Sequence, residues 1–229
     1  MTNQALESKT TLGLFAKQPI PGTVKTRLAA EIGDDAAAEL YAAFTADLVD
    51  RFRRLNARRL LCITPADEAS AAHFAVLAGD EYEIWPQPEG SLGTRLSVFF
   101  HRHLGPGERA LVIGSDSPTL PVEYVNQAFV QLEHRDSVFG MALDGGYCLV
   151  GLRDAALPIF EEIEWSGPHV LDQSIARVER CGASHALLPP WVDVDTFADL
   201  EFLREDVRAR VRHAEPIDLH HTLPLLGIE

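Results

Sequence analysis

Short apolar runs alternate with segments of helical periodicity along the chain. Between residues 36 and 54, leucine and phenylalanine recur every four residues, which predicts a helix with one apolar face. Further helices are predicted over residues 67–77, 92–103, 122–132, 168–180 and 196–210. Strands are predicted at the apolar runs 11–16, 59–64, 82–85, 109–113, 137–143, 147–152 and 184–188.

This alternation of strands and helices predicts a single-domain, three-layer α/β/α fold with a mostly parallel sheet. Asp144-Gly145-Gly146 lies between two apolar runs and is typical of a hairpin connection, which gives the sheet an antiparallel edge. The domain is predicted over residues 11–212. Residues 1–10 are expected to be disordered or loosely packed. Residues 213–229 are expected to form an irregular tail that packs loosely or is mobile.

The composition bounds the partners and the compartment. Twenty Lys and Arg against 34 Asp and Glu give a formal charge of −14, which opposes binding to nucleic acid or to an anionic membrane. The three cysteines have no disulfide or zinc spacing. There is no run long enough for membrane insertion and no signal-peptide core, so we expect a cytoplasmic protein. An anionic substrate would have to be attracted by a local basic cluster or by a metal ion.

The most informative acid is Asp116, which stands in the sequence Gly-Ser-Asp-Ser-Pro directly after the apolar run 109–113. In an open α/β sheet, ligands bind outside the carboxyl ends of the strands. A carboxylate at that place suits a divalent cation that bridges to phosphates. The alternative is an Asx-type turn in which Asp116 caps the helix that begins near residue 121.

Three cations, Lys17, Lys25 and Arg27, follow the first predicted strand within eleven residues. Arginine matches a phosphate bidentately, and lysine acts as a mobile point charge. The loop 17–27 therefore predicts a phosphate-binding site, although its spacing matches neither a Walker loop nor a dinucleotide fingerprint. The alternative is an ordinary solvated loop.

Two other segments carry weaker signals. Gly90, Gly93 and Arg95 follow the third predicted strand and would allow close backbone approach to a ligand beside a cation. Near the last predicted helix, Asp195 or Thr196 can act as a helix cap. A second carboxylate is also what Asp116 would need to hold a cation against a di- or triphosphate.

Six segments together resemble a known family. They occur here in the family's order: FAKQPIPGTVKTRLA, QPEGSLGTRL, IGSDSPTLP, DGGYCLVGL, EWS and DVDTFADL. The pattern resembles a bacterial family of uncharacterised glycosyltransferases, grouped with the nucleotide-diphospho-sugar transferases of GT-A fold. It is also similar to phospholactate guanylyltransferases and other small nucleotidyltransferases. The resemblance covers residues 12–203.

The resemblance implies a set of site residues. Lys25, Arg27 and Asp116 are implied as catalytic. Asp116 and Asp195 are implied as ligands of Mg²⁺ or Mn²⁺, with Asp193 a near neighbour. Nucleotide-binding residues are expected to be Ala16, Lys17, Gly22, Lys25, Arg27, Gln87, Gly90, Gly93, Arg95 and Ser115. Residues on the side of the sugar or the acceptor are expected to be Asp144, Gly145, Gly146, Trp165 and Ser166.

The chain departs from the pattern at two places. Ala16-Lys17-Gln18-Pro19 replaces the glycine-rich start of sugar nucleotidyltransferases, and Ser115-Asp116-Ser117 replaces the Asp-x-Asp of classical glycosyltransferases. The first departure favours a metal-dependent glycosyltransferase that takes a nucleotide-diphospho-sugar and a small-molecule acceptor. One alternative is a nucleotidyltransferase that transfers NMP from an NTP to a phosphorylated acceptor. A non-catalytic nucleotide-binding module and a metal-dependent hydrolase are further alternatives.

Overall fold

A seven-stranded sheet forms the centre of the protein in the computed structural model, which describes residues 9–228. The strands are β1 (Thr10–Lys17), β2 (Arg58–Thr64), β3 (Glu83–Pro86), β4 (Arg109–Ile113), β5 (Ser137–Ala142), β6 (Tyr147–Leu152) and β7 (His185–Trp191). Their order is β3-β2-β1-β4-β6-β5-β7. Only the pairs that include β6 are antiparallel, and they lie in the half of the sheet that ends at β7. The predicted mostly parallel α/β sheet with antiparallel pairing towards one edge is confirmed.

Seven α-helices surround the sheet within the described residues. They are α1 (Thr26–Ile32), α2 (Asp34–Phe52), α3 (Glu68–Ala78), α4 (Leu92–His103), α5 (Val122–Gln131), α6 (Val170–Arg180) and α7 (Phe197–Arg212). Side-chain caps explain where several of them begin. Asp67 accepts a hydrogen bond from the amide of Ser70 at the start of α3, and Ser91 accepts one from the amide of Thr94 at the start of α4. None of these helices is long and apolar enough to cross a membrane.

The helices cover both faces of the sheet, which makes the three layers. Apolar side chains of α2, α3 and α5 pack against one face, and those of α4 and α6 pack against the other. Gly13 on β1 brings α4 close to the sheet, because a Cβ at this position would lie 2.6 Å from the Phe99 ring. The site at the strand ends is therefore held between two packed layers.

Two elements differ from the sequence prediction. The first is helix α1, which begins at Thr26. The sequence predicted a loop up to residue 27 and no helix before residue 36. Helix α1 has seven residues and is separated from α2 by Gly33, whose φ of 88° breaks the helical run, so its periodicity is too short to recognise. The second is strand β7, which extends through Pro189 and Pro190 to Trp191. Proline has no backbone N–H to donate, and a strand at the edge of the sheet, such as β7, tolerates this loss.

The tail beyond α7 is irregular. Residues 213–216 are exposed, and the expectation of loose packing is wrong only for the part from Leu219 on. Leu219, Thr222 and Leu226 are buried, and the two leucines join a core cluster with α1, α2 and α7. The carboxylate of Asp47 accepts hydrogen bonds from the amides of His221 and Thr222, at 2.8 and 2.9 Å. At the other end of the chain, Thr10 already belongs to β1. The prediction for residues 1–8 lies outside the described residues.

Candidate nucleotide site

A cleft of about 290 Å³ opens at the carboxyl ends of β1, β2 and β4, beside the first turn of α4. Strand β6 runs antiparallel to β4, so its first residue, Tyr147, reaches the same cleft. Phe15, Leu92 and Leu149 contribute apolar walls. Six residues predicted from the sequence line this cleft: Ala16, Lys17, Gln87, Arg95, Ser115 and Asp116.

The polar side chains of the cleft have distinct partners. Lys17 is exposed, and its Nζ donates to the carbonyl of Thr23 at 2.6 Å. The Nε of Arg95 donates to the carbonyl of Gly90 at 3.2 Å, which holds the guanidinium near the start of α4. Gln87 is buried, and its amide nitrogen donates to the carbonyl of Cys62 at 2.6 Å. Lys17 and Arg95 are therefore the cations that a ligand in this cleft would meet.

Tyr41 on α2 ties two parts of the cleft together. Its hydroxyl accepts a hydrogen bond from the amide of Lys17 at 2.9 Å and shares one of 2.6 Å with the Ser115 hydroxyl. Burial raises the pKa of Tyr41, so the phenol stays protonated. Tyr41 was not predicted from the sequence, because it stands beside Leu40 in a run with the pattern of a buried helix face.

Lys25 lies between the two acids that were predicted to bind a metal ion. Its Nζ donates to Asp116 Oδ1 and to Asp195 Oδ1, the second at 2.8 Å. The Lys25 side chain is only 2% exposed, whereas those of Asp116 and Asp195 are 43% and 40% exposed. Burial by itself would lower the pKa of Lys25, but the two carboxylates outweigh it and raise the pKa to about 12. The ammonium is therefore charged at any physiological pH.

Neither acid of this pair serves as a helix cap. Helix α5 has Pro121 at its N-cap and no side-chain cap, so the Asx-cap alternative for Asp116 is wrong. At α7, Thr196 and Asp199 form a reciprocal capping box, which leaves the Asp195 carboxylate to Lys25. Both carboxylates are thus free for charge pairing.

Asp193 is a third acid beside this pair. Its carboxylate accepts a hydrogen bond from the Ser117 hydroxyl. Burial raises the pKa of Asp193 to about 7, and the nearby Asp116 and Asp195 push it in the same direction, against the effects of Ser117 and Lys25. From the sequence, Asp193 was expected only to be a near neighbour of Asp195.

A second pocket, of about 260 Å³, lies beside Asp195, the other acid that Lys25 contacts. It is lined by Arg27, Asp144, Asp195 and the acids Asp193 and Asp199, with apolar side chains between them. Asp116 lines the first cleft and Asp195 lines the second pocket, so the acid pair lies between the two cavities. The three cations of the predicted phosphate-binding loop therefore lie in three different surroundings. Lys17 faces the first cleft, Lys25 is enclosed by the acids, and Arg27 faces the second pocket.

Several predicted glycines shape the backbone of the site. Gly93 is buried, and a Cβ there would lie 2.7 Å from the Phe160 carbonyl oxygen and 2.9 Å from the Trp165 ring, so this residue serves close packing. Gly145 has a φ of 91° and packs against Pro168, while the amide of Gly146 donates to the Asp144 carboxylate at 2.9 Å.

The remaining predicted residues lie at the margins. Gly22 and Gly90 occupy exposed loops with positive φ. Trp165 makes an edge contact with the ring of Tyr147, which lines the first cleft. Ser166 is exposed and lines neither of these two cavities.

The acid pair does not accommodate a metal ion as it is arranged. Two carboxylates with phosphate oxygens and water are a donor set that suits Mg²⁺. However, the Lys25 ammonium occupies the space between the two inner oxygens. Residues 9–228 contain no group of three or more His, Cys, Asp or Glu placed to hold a metal ion. The predicted use of Mg²⁺ or Mn²⁺ stays a prediction.

The fold and the cleft define the class of the protein, which has the fold of the nucleotide-diphospho-sugar transferases. A crystal structure from Desulfovibrio desulfuricans G20, described as a "putative nucleotide-diphospho-sugar transferase", is 31% identical in sequence with a TM-score of 0.82. The match covers 96% of this chain and 97% of that one.

More distant structures share the fold alone. A 4-diphosphocytidyl-2C-methyl-D-erythritol synthase from Anaerococcus prevotii is 11% identical, with a TM-score of 0.56 over 87% of this chain and 98% of its own. A CMP:2-keto-3-deoxy-manno-octonic acid synthetase complexed with CTP is also 11% identical, with a TM-score of 0.53 over 89% of this chain and all of its own.

The family itself follows from the sequence. The model of the family described as "Uncharacterized protein conserved in bacteria (DUF2064)" matches residues 48–167. The matched segment is slightly more than half of the 229 residues, and the chain belongs to this family. A search of the curated proteins found no match.

Proposed function

We propose that the protein transfers a glycosyl group from a nucleotide-diphospho-sugar to a small-molecule acceptor. The observation that carries this proposal is the position of the Lys25-bridged acid pair between two cavities, one lined by Asp116 and the other by Asp195. Such an arrangement suits a donor whose nucleotide lies in one cavity and an acceptor that approaches through the other. The 31% identity to the protein from D. desulfuricans supports the same class of donor.

The first cleft suits the nucleotide. Its apolar walls offer stacking and van der Waals contact to a base, and Lys17 and Arg95 offer charge-assisted hydrogen bonds to phosphates. Tyr41 holds the backbone of Lys17 and the hydroxyl of Ser115 in place, so this part of the site is preorganised.

The reaction would occur beside Lys25. An acceptor hydroxyl oxygen forms a bond to the anomeric carbon of the sugar, while the bond from that carbon to the diphosphate breaks. The nucleoside diphosphate leaves with the bonding electrons, and the hydroxyl proton passes to a carboxylate of the second pocket, of which Asp144 is the most exposed. Lys25 would stabilise the charge that develops on the leaving diphosphate.

The second pocket favours glycosyl over nucleotidyl transfer. Four aspartates and one arginine line it, so its potential repels a phosphorylated acceptor, which nucleotidyl transfer needs. An uncharged acceptor with several hydroxyl groups would find hydrogen-bond acceptors there instead.

The test is a product analysis by ³¹P NMR. The protein is incubated with nucleotide sugars and a panel of polyhydroxylated acceptors, and separately with NTPs and phosphorylated acceptors. Glycosyl transfer predicts acceptor-dependent release of a nucleoside diphosphate from the first set. Pyrophosphate from the second set would establish the nucleotidyl alternative, and diphosphate release without an acceptor would establish a hydrolase. Binding of a nucleotide that is never consumed would establish a binding module.

A further inference from the structure

The space between Asp116 and Asp195 is built for a cation. Their Oδ1 atoms point at one position, and the rings of Tyr41 and Phe44 lie 5.8 and 5.9 Å from the ammonium that fills it. Aromatic faces at this distance attract a cation as well. Lys25 therefore has anionic and aromatic partners contributed by the end of β4, by α2 and by the segment before α7.

The backbone of Lys25 is arranged to bring the side chain to this position. Lys25 precedes α1 with φ 47° and ψ 40°, a left-handed conformation that non-glycine residues rarely adopt. In this position the ammonium makes both ion pairs and the side chain is buried. Arg27, two residues later, faces the second pocket instead.

A divalent ion ligated by Asp116 and Asp195 would need the same two oxygens that now accept hydrogen bonds from Lys25. Metal–oxygen bonds are about 2.0–2.1 Å long for Mg²⁺, so an ion and the ammonium cannot share these oxygens at close range. Their like charges would also repel each other strongly in a partly buried site.

We propose that Lys25 is the resident cation of the Asp116–Asp195 pair and that it excludes a divalent ion from the pair as long as it stays there. The proposal deepens the proposed function, because it names the cation that neutralises the acids beside the transferred group. It predicts that the protein has little affinity for divalent ions in the absence of nucleotide. A metal ion would enter only after the ammonium has moved away, for example towards the diphosphate of a donor.

The test measures Mn²⁺ binding without nucleotide by electron paramagnetic resonance of free Mn²⁺. The variants are Lys25→Met and the double variant Lys25→Met/Asp195→Asn. Lys25→Met should bind one Mn²⁺ per chain at least about tenfold more tightly than the wild type, and the double variant should lose this gain. Lys9→Met is the matched control, since it removes the same charge at the opposite end of β1, and it should bind like the wild type.

Equal Mn²⁺ affinity of wild type and Lys25→Met, or a gain that survives in the double variant, would overturn the proposal. If Lys25→Met does not fold, crystals of the wild type in Mn²⁺ answer the same question by anomalous scattering. Mn²⁺ bound to both carboxylates while Lys25 keeps its two contacts would contradict the proposal. A pair that contains Lys25 alone agrees with it, whereas Mn²⁺ bound to the pair in place of Lys25 without nucleotide would contradict the low affinity that it predicts. No nucleotide is present, so neither result depends on whether sugar transfer occurs.

Discussion

Removing the Tyr41 hydroxyl tests whether its hydrogen bonds to Lys17 and Ser115 preorganise the cleft for nucleotide binding. Tyr41→Phe keeps the ring, and with it the contact to the Lys25 ammonium, but deletes the hydrogen bonds to the Lys17 amide and the Ser115 hydroxyl. Both Tyr41 and Ser115 are buried, so water cannot readily replace the lost partner.

The magnitude follows from these two bonds. A typical intramolecular hydrogen bond contributes about 1 kcal/mol net, and a buried donor left without a partner costs about 1–3 kcal/mol. We expect the free energy of unfolding to fall by about 2 kcal/mol. The released loop must then be reordered when a nucleotide binds, and if this costs about 1 kcal/mol the dissociation constant rises roughly fivefold.

The assay combines urea denaturation with calorimetric titration of the nucleoside diphosphate that raises the melting temperature most. Tyr82→Phe is a matched control, because the Tyr82 hydroxyl donates to the Val49 carbonyl at 3.0 Å in the core, away from the cleft. The control should lose about 1 kcal/mol of stability and keep its nucleotide affinity. Equal loss of affinity in both variants, or unchanged affinity in Tyr41→Phe, would refute the reasoning.

Three further predictions concern a cation of the first cleft, the turn at Gly145 and the pH-dependent contacts of Asp136. Arg95→Ala should weaken nucleoside diphosphate binding about tenfold or more in calorimetry through loss of a charge-assisted contact, whereas Arg102→Ala, exposed farther along α4, should not. Gly145→Ala would place a Cβ 1.9 Å from the Pro168 carbonyl oxygen and should cost about 2–4 kcal/mol in thermal unfolding. Gly107→Ala, at φ 76° with nothing within 4 Å, should cost only about 1 kcal/mol. Hydrogen bonds from Ser184, with help from Arg153, lower the pKa of Asp136 to about 2. Because a depressed carboxylate stabilises the fold above its ordinary pKa, Asp136→Asn should cost about 1–2 kcal/mol at pH 7. That difference should shrink as the pH falls from about 4 to 2, as urea denaturation at several pH values would measure.

The strand ends could be predicted because their signals are local. Residues 110–113 are uniformly apolar and are followed by Gly114, so Asp116 could be placed at the carboxyl end of a strand from sequence alone. Likewise, Thr196 was one of two candidate caps for the last helix, and the structure shows that it is the cap, with Asp199 as its capping-box partner.

Contacts between distant segments could not be predicted in the same way. Lys25 is 91 residues from Asp116 and 170 from Asp195, and no local pattern indicates that an ammonium would lie between those acids. Closeness in sequence also did not group the loop cations in space, because Lys17 lines the first cleft, Lys25 is held by the two acids, and Arg27 lines the second pocket. Tyr41 could not be predicted as a site residue, because the hydroxyl at the end of its aromatic ring does not change the hydrophobic pattern of the helix.

The most direct test of the central claim is a crystal structure of the protein with the best-binding nucleoside diphosphate. The account predicts that the base lies between the apolar walls of the first cleft and that the phosphates lie within hydrogen-bonding distance of Lys17 and Arg95. The terminal phosphate should face the Lys25-bridged acid pair. A nucleotide bound elsewhere on the protein would contradict the account. So would a nucleotide in the cleft whose phosphates point away from Lys17, Arg95 and Lys25.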